Sequence, residues 1–188
     1  GFGVEDSDMQ SFWNAIRMPK EEELDKASLL NKILGLMRDE DSGVRRSAIR
    51  ASIQCGGKDD PVLLENLIRM LDDRSFTVRV VAVKALCEYS DPGDLQVLDL
   101  LLQKLEDDSH LVRHAVVLEM HRMVKVGDRY TGGKLIRWLR ESWKHRQTRG
   151  DDVEVKHELA KVIVQAMGES MKEPYCKAFC DGMLSHSL

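Results

Sequence analysis

Apolar residues fall on helical spacing along most of the chain, in short stripes separated by polar turns. Leu30, Ile33, Leu34 and Met37 lie at i, i+3, i+4 and i+7, the pattern of one buried helix face. Arg38-Asp39-Glu40-Asp41-Ser42-Gly43 interrupts it with turn and N-cap residues. A second stripe, Val44, Ala48, Ala51 and Ile53, predicts a second helix that ends at Cys55-Gly56-Gly57, where a glycine C-terminus is expected.

The same columns return further along. Asp39, Asp73 and Asp107 stand 34 residues apart, and so do Val44, Val78 and Val112, and Arg45, Arg79 and Arg113. The second unit has Leu64, Leu67, Ile68 and Leu71, a turn at Asp72-Asp73-Arg74-Ser75, then Val78, Ala82, Ala85 and Leu86. The third has Leu98, Leu101, Leu102 and Leu105, the turn Asp107-Asp108-Ser109, then Val112, Ala115, Val116 and Met120, with Gly127 closing it. Asp60-Pro61 and Asp91-Pro92-Gly93-Asp94 predict the starts of the first helices. A fixed period of this length marks stacked supersecondary units, each needing a neighbour to complete its core.

A fourth unit is distorted. Leu135, Ile136, Trp138 and Leu139 predict a helix after Thr131-Gly132-Gly133; Asp151 to Lys156 repeats the turn, and Leu159, Val162, Ile163 and Ala166 predict a second helix ending at Gly168. Val112 to Val155 is 43 residues, so the unit carries a nine-residue insertion around Lys144 to Gly150. Asp8 with Phe12, Trp13 and Ile16, and Pro174 with Tyr175, Phe179 and Met183, predict a helix at each end. The expected organisation is one domain over 1–188: a cap at 1–27, repeats at 28–57, 60–90, 94–127 and 130–168, and a cap at 169–188.

These residues resemble the HEAT and HEAT-like repeats over roughly residues 28–168. The family pattern is an apolar first helix, an Asp in the turn, Val-Arg, then an Ala-containing second helix ending near Gly. Here it reads Asp39, Val44-Arg45, Ala48, Gly56; then Asp73, Val78-Arg79, Ala82; then Asp107, Val112-Arg113, Gly127. The resemblance implies an all-α fold, a right-handed α-solenoid of about four HEAT-like helix pairs with an extra helix at each end. It leaves function open, because this architecture serves scaffolds, transport factors, lyases and nucleic-acid enzymes alike. Tetratricopeptide repeats share the length but need a Trp-x2-Leu-Gly-x2-Tyr pattern that is absent.

Composition narrows the classes. Hydrophobic residues are 43 % and charged ones 32 %, which suits a folded chain. The net charge of −4 gives no general affinity for nucleic acid. No apolar run is long enough to span a membrane. The four cysteines, Cys55, Cys87, Cys176 and Cys180, are too few for a disulfide scaffold; Cys55 and Cys87 fit buried thiols in a reducing, intracellular compartment, the cytoplasm first. The chain begins on Gly with no charged-then-apolar leader, which leaves an organelle and a removed targeting peptide open.

Two sets of residues are candidates. Asp39, Asp73 and Asp107 match Arg45, Arg79 and Arg113 one for one, and we read them as a structural ladder. Residues 129–149 hold seven basic residues against Glu141 alone, with Trp138 and Trp143 among them. Arg137, Arg140 and Lys144 share one helical side, and with Arg146 and Arg149 they are the expected contact for an acidic partner. His110 and His114, or Cys176 and Cys180, have helical spacing without the further ligands a metal needs. No phosphate loop, nucleophile elbow or His-Glu-x-x-His helix occurs. No catalytic, cofactor or metal residue is therefore assigned. The expected function is a non-catalytic protein–protein interaction scaffold or adaptor, a subunit of a larger complex. The alternative is a HEAT-like bilin (phycobilin) lyase or chaperone-type enzyme, for which no residue marks the chemistry.

Overall fold

The computed structural model describes residues 26–57, 60–144 and 152–168. The chain divides after Tyr89 into two compact units, Gly1–Tyr89 and Ser90–Leu188. Every regular element among the described residues is an α-helix. The end helices expected around Asp8–Ile16 and Pro174–Met183 fall outside the described residues, as does the insertion after Lys144.

The first unit holds α1 (Lys26–Leu36), α2 (Ser42–Cys55), α3 (Pro61–Met70) and α4 (Phe76–Tyr89). The starts of α2 and α3 have a chemical reason. Asp41 accepts from the backbone N–H of Gly43 and Val44, and Asp60 from those of Val62 and Leu63, with Pro61 in the first turn. Both carboxylates satisfy donors that an unfinished helix leaves open. α1 packs on α2, α3 on α4, and the two second helices, α2 and α4, pack on each other. Ala48, Ser52 and Ala82 are wholly buried there, small residues that suit a close approach of the two backbones. Leu63, Leu67, Leu71 and Leu86 fill the rest, each contributing about 1.5–3 kcal/mol by leaving water.

The α2 stripe is wider than its periodicity predicts. Val44 and Ala48 are buried, but Ala51 and Ile53 are only half-buried, while Ile49 and Ser52 join the core. Gly56 ends the helix for a reason other than left-handed geometry. Its φ is −71°, and a Cβ there would lie 2.3 Å from Leu63 Cδ2 and 2.8 Å from the Ser52 carbonyl oxygen. Cys55, expected in the core, is half-buried; Cys87 is buried, and neither forms a disulfide.

The second unit holds α5 (Leu95–Lys104), α6 (His110–Met123), α7 (Arg129–Lys144) and α8 (Asp152–Met167). α5 pairs with α6 and α7 with α8; α6 packs on α8, and α5 touches α7. Asp94 caps α5 through Gln96 and Val97. The Gly93 N–H donates to the Met123 carbonyl at 2.8 Å with φ at +89°, tying the entry of α5 to the end of α6 in a conformation that favours glycine. α7 starts earlier than the apolar stripe predicts. Thr131-Gly132-Gly133, expected as a break, lies in its first turns, capped by Asp128, which accepts from the Thr131 N–H and hydroxyl. Gly132 is there because α8 comes close: a Cβ would meet Met167 Sδ at 2.9 Å.

Candidate functional site

The three Asp-x4-Val-Arg turns share one geometry. Asp39, Asp73 and Asp107 each accept, on Oδ1, the backbone N–H two residues ahead, at 2.8 to 2.9 Å. Arg45, Arg79 and Arg113 each reach back with Nη1 to the carbonyl of the turn aspartate six residues before, at 2.7 to 2.9 Å. Within the first unit Arg45 goes further. Its Nε and Nη2 donate to both carboxylate oxygens of Asp73, each at 2.8 Å. Nη1 also meets the Glu40 carbonyl at 2.9 Å. The two side chains are 5 % and 7 % exposed. A guanidinium is the one side chain whose planar fork can hold a carboxylate and two carbonyls at once.

The basic helix α7 carries a second arrangement, open to solvent. Lys134 donates to Asp99 Oδ1 on α5 at 2.6 Å and lies over the Tyr130 ring, 4.3 Å from its centre. The Tyr130 hydroxyl is 3.5 Å from Asp99 Oδ2. The indole N–H of Trp138 donates to Glu106, just past α5. The hydrogen bond to Asp99, then that to Tyr130, raises the Lys134 pKa above its ordinary value. Lys134, Arg137, Trp138 and Glu141 on α7, with Asp99, Leu102 and Gln103 on α5, line an open groove of about 300 Å³.

The expected contact residues separate here. Arg137 and Arg140 are exposed on α7, and among the described residues neither has an ion-pair partner. Lys144 is the last residue of α7, with its side chain outside the description; Arg146 and Arg149 lie outside the described residues. Trp138 is half-buried at the groove rather than in the core. The residues that sequence reasoning missed are Asp99, Glu106 and Tyr130; Lys134 was counted in the basic segment and Leu102 in an apolar stripe, neither as part of a groove. A usable signal exists: the pairs Asp99–Tyr130, Asp99–Lys134 and Glu106–Trp138 are separated by 31, 35 and 32 residues, close to one repeat. Successive first helices meet at that offset.

A third polar seam joins α6 to α8. His121 Nε2 is 3.5 Å from Glu158 Oε2, and Lys161 donates to the other oxygen at 2.6 Å. Lys161, by its hydrogen bond, holds the Glu158 carboxyl below its ordinary range against the opposing effect of partial burial, and His121 adds to the lowering. The Gln165 amide donates to the His121 and Val124 carbonyls.

Among the described residues no three or more His, Cys, Asp or Glu converge as a metal site, and no helix is long and apolar enough to cross a membrane. The groove places charged hydrogen-bond donors beside apolar surface. No curated protein matches the chain. Residues 64–148 match the family model for HEAT repeats, from within α3 through the whole of α7. The same turn recurs at Asp39, before the matched stretch, as at Asp73 and Asp107, and in this the chain is similar to the HEAT-like repeats.

Proposed function

We propose that the chain is a non-catalytic protein-binding scaffold or adaptor, a subunit of a larger assembly, and that α7 carries the contact for an acidic partner. One observation supports this most: Arg137 and Arg140 stand exposed, one helical turn apart, with no ion-pair partner among the described residues, while Lys134 beside them is already paired. Unpaired exposed cations of this kind steer an acidic partner and set its register more than they supply affinity. Asp39, Asp73, Asp107, Arg45, Arg79 and Arg113 take the structural role, since their hydrogen bonds are spent on turns and on a neighbouring repeat. An intracellular, reducing compartment fits Cys87, buried and without a disulfide.

Affinity capture followed by mass spectrometry tests the reading. The pair Arg137→Glu and Arg140→Glu leaves helicity and melting unchanged and depletes the captured partners. A partner set identical to wild type removes α7 from the interface.

A further inference from the structure

The second helices of the first unit carry charge of nearly one sign. α2 holds Arg45, Arg46 and Arg50 and no acid, and α4 holds Arg79 and Lys84 against Glu88 alone. Arg45 and Arg79 are spent on the turns. Arg46 and Arg50 stand one helical turn apart on one side of α2. Lys84 follows Arg50 by 34 residues, and positions at about that offset meet at both ends of the α2–α4 seam. Arg74 donates to the Glu40 carbonyl, 34 residues back, at 2.8 Å, and the Tyr89 hydroxyl donates to the Gly57 carbonyl, 32 back, at 3.2 Å. Arg50 is exposed; Arg46 and Lys84 are half-buried. The other acids among the described residues of this unit lie in turns, at a cap or on α3. Of these, Asp39, Asp41 and Asp73 give their oxygens to turn N–H groups and to Arg45.

We propose that this face of α2 and α4 receives a short acidic segment of a partner protein. It uses other residues than α7 and is carried by a different observation. Arg46, Arg50 and Lys84 face a single acid, Glu88, so the complementarity to carboxylates is net and local. An incoming carboxylate takes the fork of Arg50 in two parallel hydrogen bonds; no ion pair engages Arg50 among the described residues. Arg46 and Lys84 act through their charge, which draws the segment in and holds its acids over the seam. The basic stretch is short. Towards the starts of α2 and α4 it meets the exposed Glu40 and Asp72, and towards the end of α4 the exposed Glu88. A long polyanion laid along the helices would cross those acids, whereas a few carboxylates sit between them. That favours an acidic peptide over a nucleic-acid strand, whose evenly spaced phosphates continue past the edge.

The test uses the full chain and a fluorescein-labelled peptide of Glu interleaved with Gly, read by anisotropy at low salt. Arg50→Glu with Lys84→Glu weakens binding by about tenfold or more. The melting temperature stays near that of wild type, since neither side chain belongs to the core. Glu88→Gln tightens binding by about twofold or more, because it removes the acid of the face. Lys32→Glu with Arg69→Glu changes the net charge equally, at exposed positions of α1 and α3, and leaves the affinity within about twofold. No binding by wild type, equal losses in the two double variants, or no gain in Glu88→Gln overturns the site in favour of diffuse charge attraction. A single-stranded oligonucleotide of equal charge that binds more tightly than the peptide also overturns it, and makes the face a phosphate surface instead. Partner capture with Arg137→Glu and Arg140→Glu touches none of these residues, so either surface can fail while the other stands.

Discussion

Among the described residues, Arg45–Asp73 and Lys134–Asp99 each join successive repeats, and they do opposite work. Arg45–Asp73, in the first unit, is 5 % and 7 % exposed and shares its hydrogen bonds with two turn carbonyls and a turn N–H. Lys134–Asp99, in the second unit, is 38 % and 41 % exposed and rims an open groove. Formal charge and contact distance are similar, at 2.8 and 2.6 Å. What differs is access to water. A buried pair that loses one partner strands the other charge without solvent. An exposed pair that separates is rehydrated at once. The first arrangement therefore fixes repeat to repeat, and the second can exchange partners.

The largest effect follows from the buried pair. Asp73→Ala lowers stability by about 3–5 kcal/mol, because Arg45 is left buried and uncompensated. Replacing both together, Arg45→Met with Asp73→Leu, recovers much of the loss. Urea melts of the three variants measure this. A single-variant cost below about 1 kcal/mol, the range of exposed pairs, breaks the comparison.

Arg45→Lys sharpens it. The ammonium keeps the charge but cannot serve both Asp73 oxygens and the Asp39 and Glu40 carbonyls as Arg45 does. The expected cost is about 2 kcal/mol, the loss of one or two charge-assisted hydrogen bonds. A lysine variant as stable as wild type means that charge alone, not the fork, holds the seam.

How far such features were readable before any coordinates depends on whether they repeat. Asp39, Asp73 and Asp107, spaced by a constant period, made helix pairs and turns legible. Gly56 and Gly132 were legible as glycines but not in their reasons: each accommodates a side chain from another helix, Leu63 and Met167, and no local pattern encodes that. The basic character of α7 was plain from composition. Asp99 and Glu106 were not singled out, because an acid on an exposed helix side is ordinary until the helix opposite is known. Only the offset of about one repeat singles them out, and using it requires the stacking first.

Glu158 on α8 falls between the two extremes, with its side chain 23 % exposed and that of His121 29 %. Its folded pKa is lowered, chiefly by the hydrogen bond from Lys161 and then by His121. The stabilisation is therefore present above the ordinary value of 4.5 and is lost as pH falls through the folded value. Glu158→Gln melts lower than wild type at neutral pH, by less than Asp73→Ala, and the gap closes on acidification. A gap that widens in acid contradicts the sign.

The smallest effect belongs to the groove. Asp99→Asn keeps an oxygen acceptor for Lys134 and removes the charge, in a pair that water reaches from both sides. Because the Lys134 pKa is raised, whatever the pair contributes is present at neutral pH and is lost only in alkali, as pH rises through the folded value. A neutral-pH melt is thus the fair comparison, and wild type and variant should coincide in it. Added salt should leave the coincidence unchanged, since an exposed pair contributes little to begin with. If Asp99→Asn instead destabilises as Asp73→Ala does, Asp99 is holding the fold together. An acid that holds the fold cannot give up its lysine, and the contrast with the buried pair is then lost.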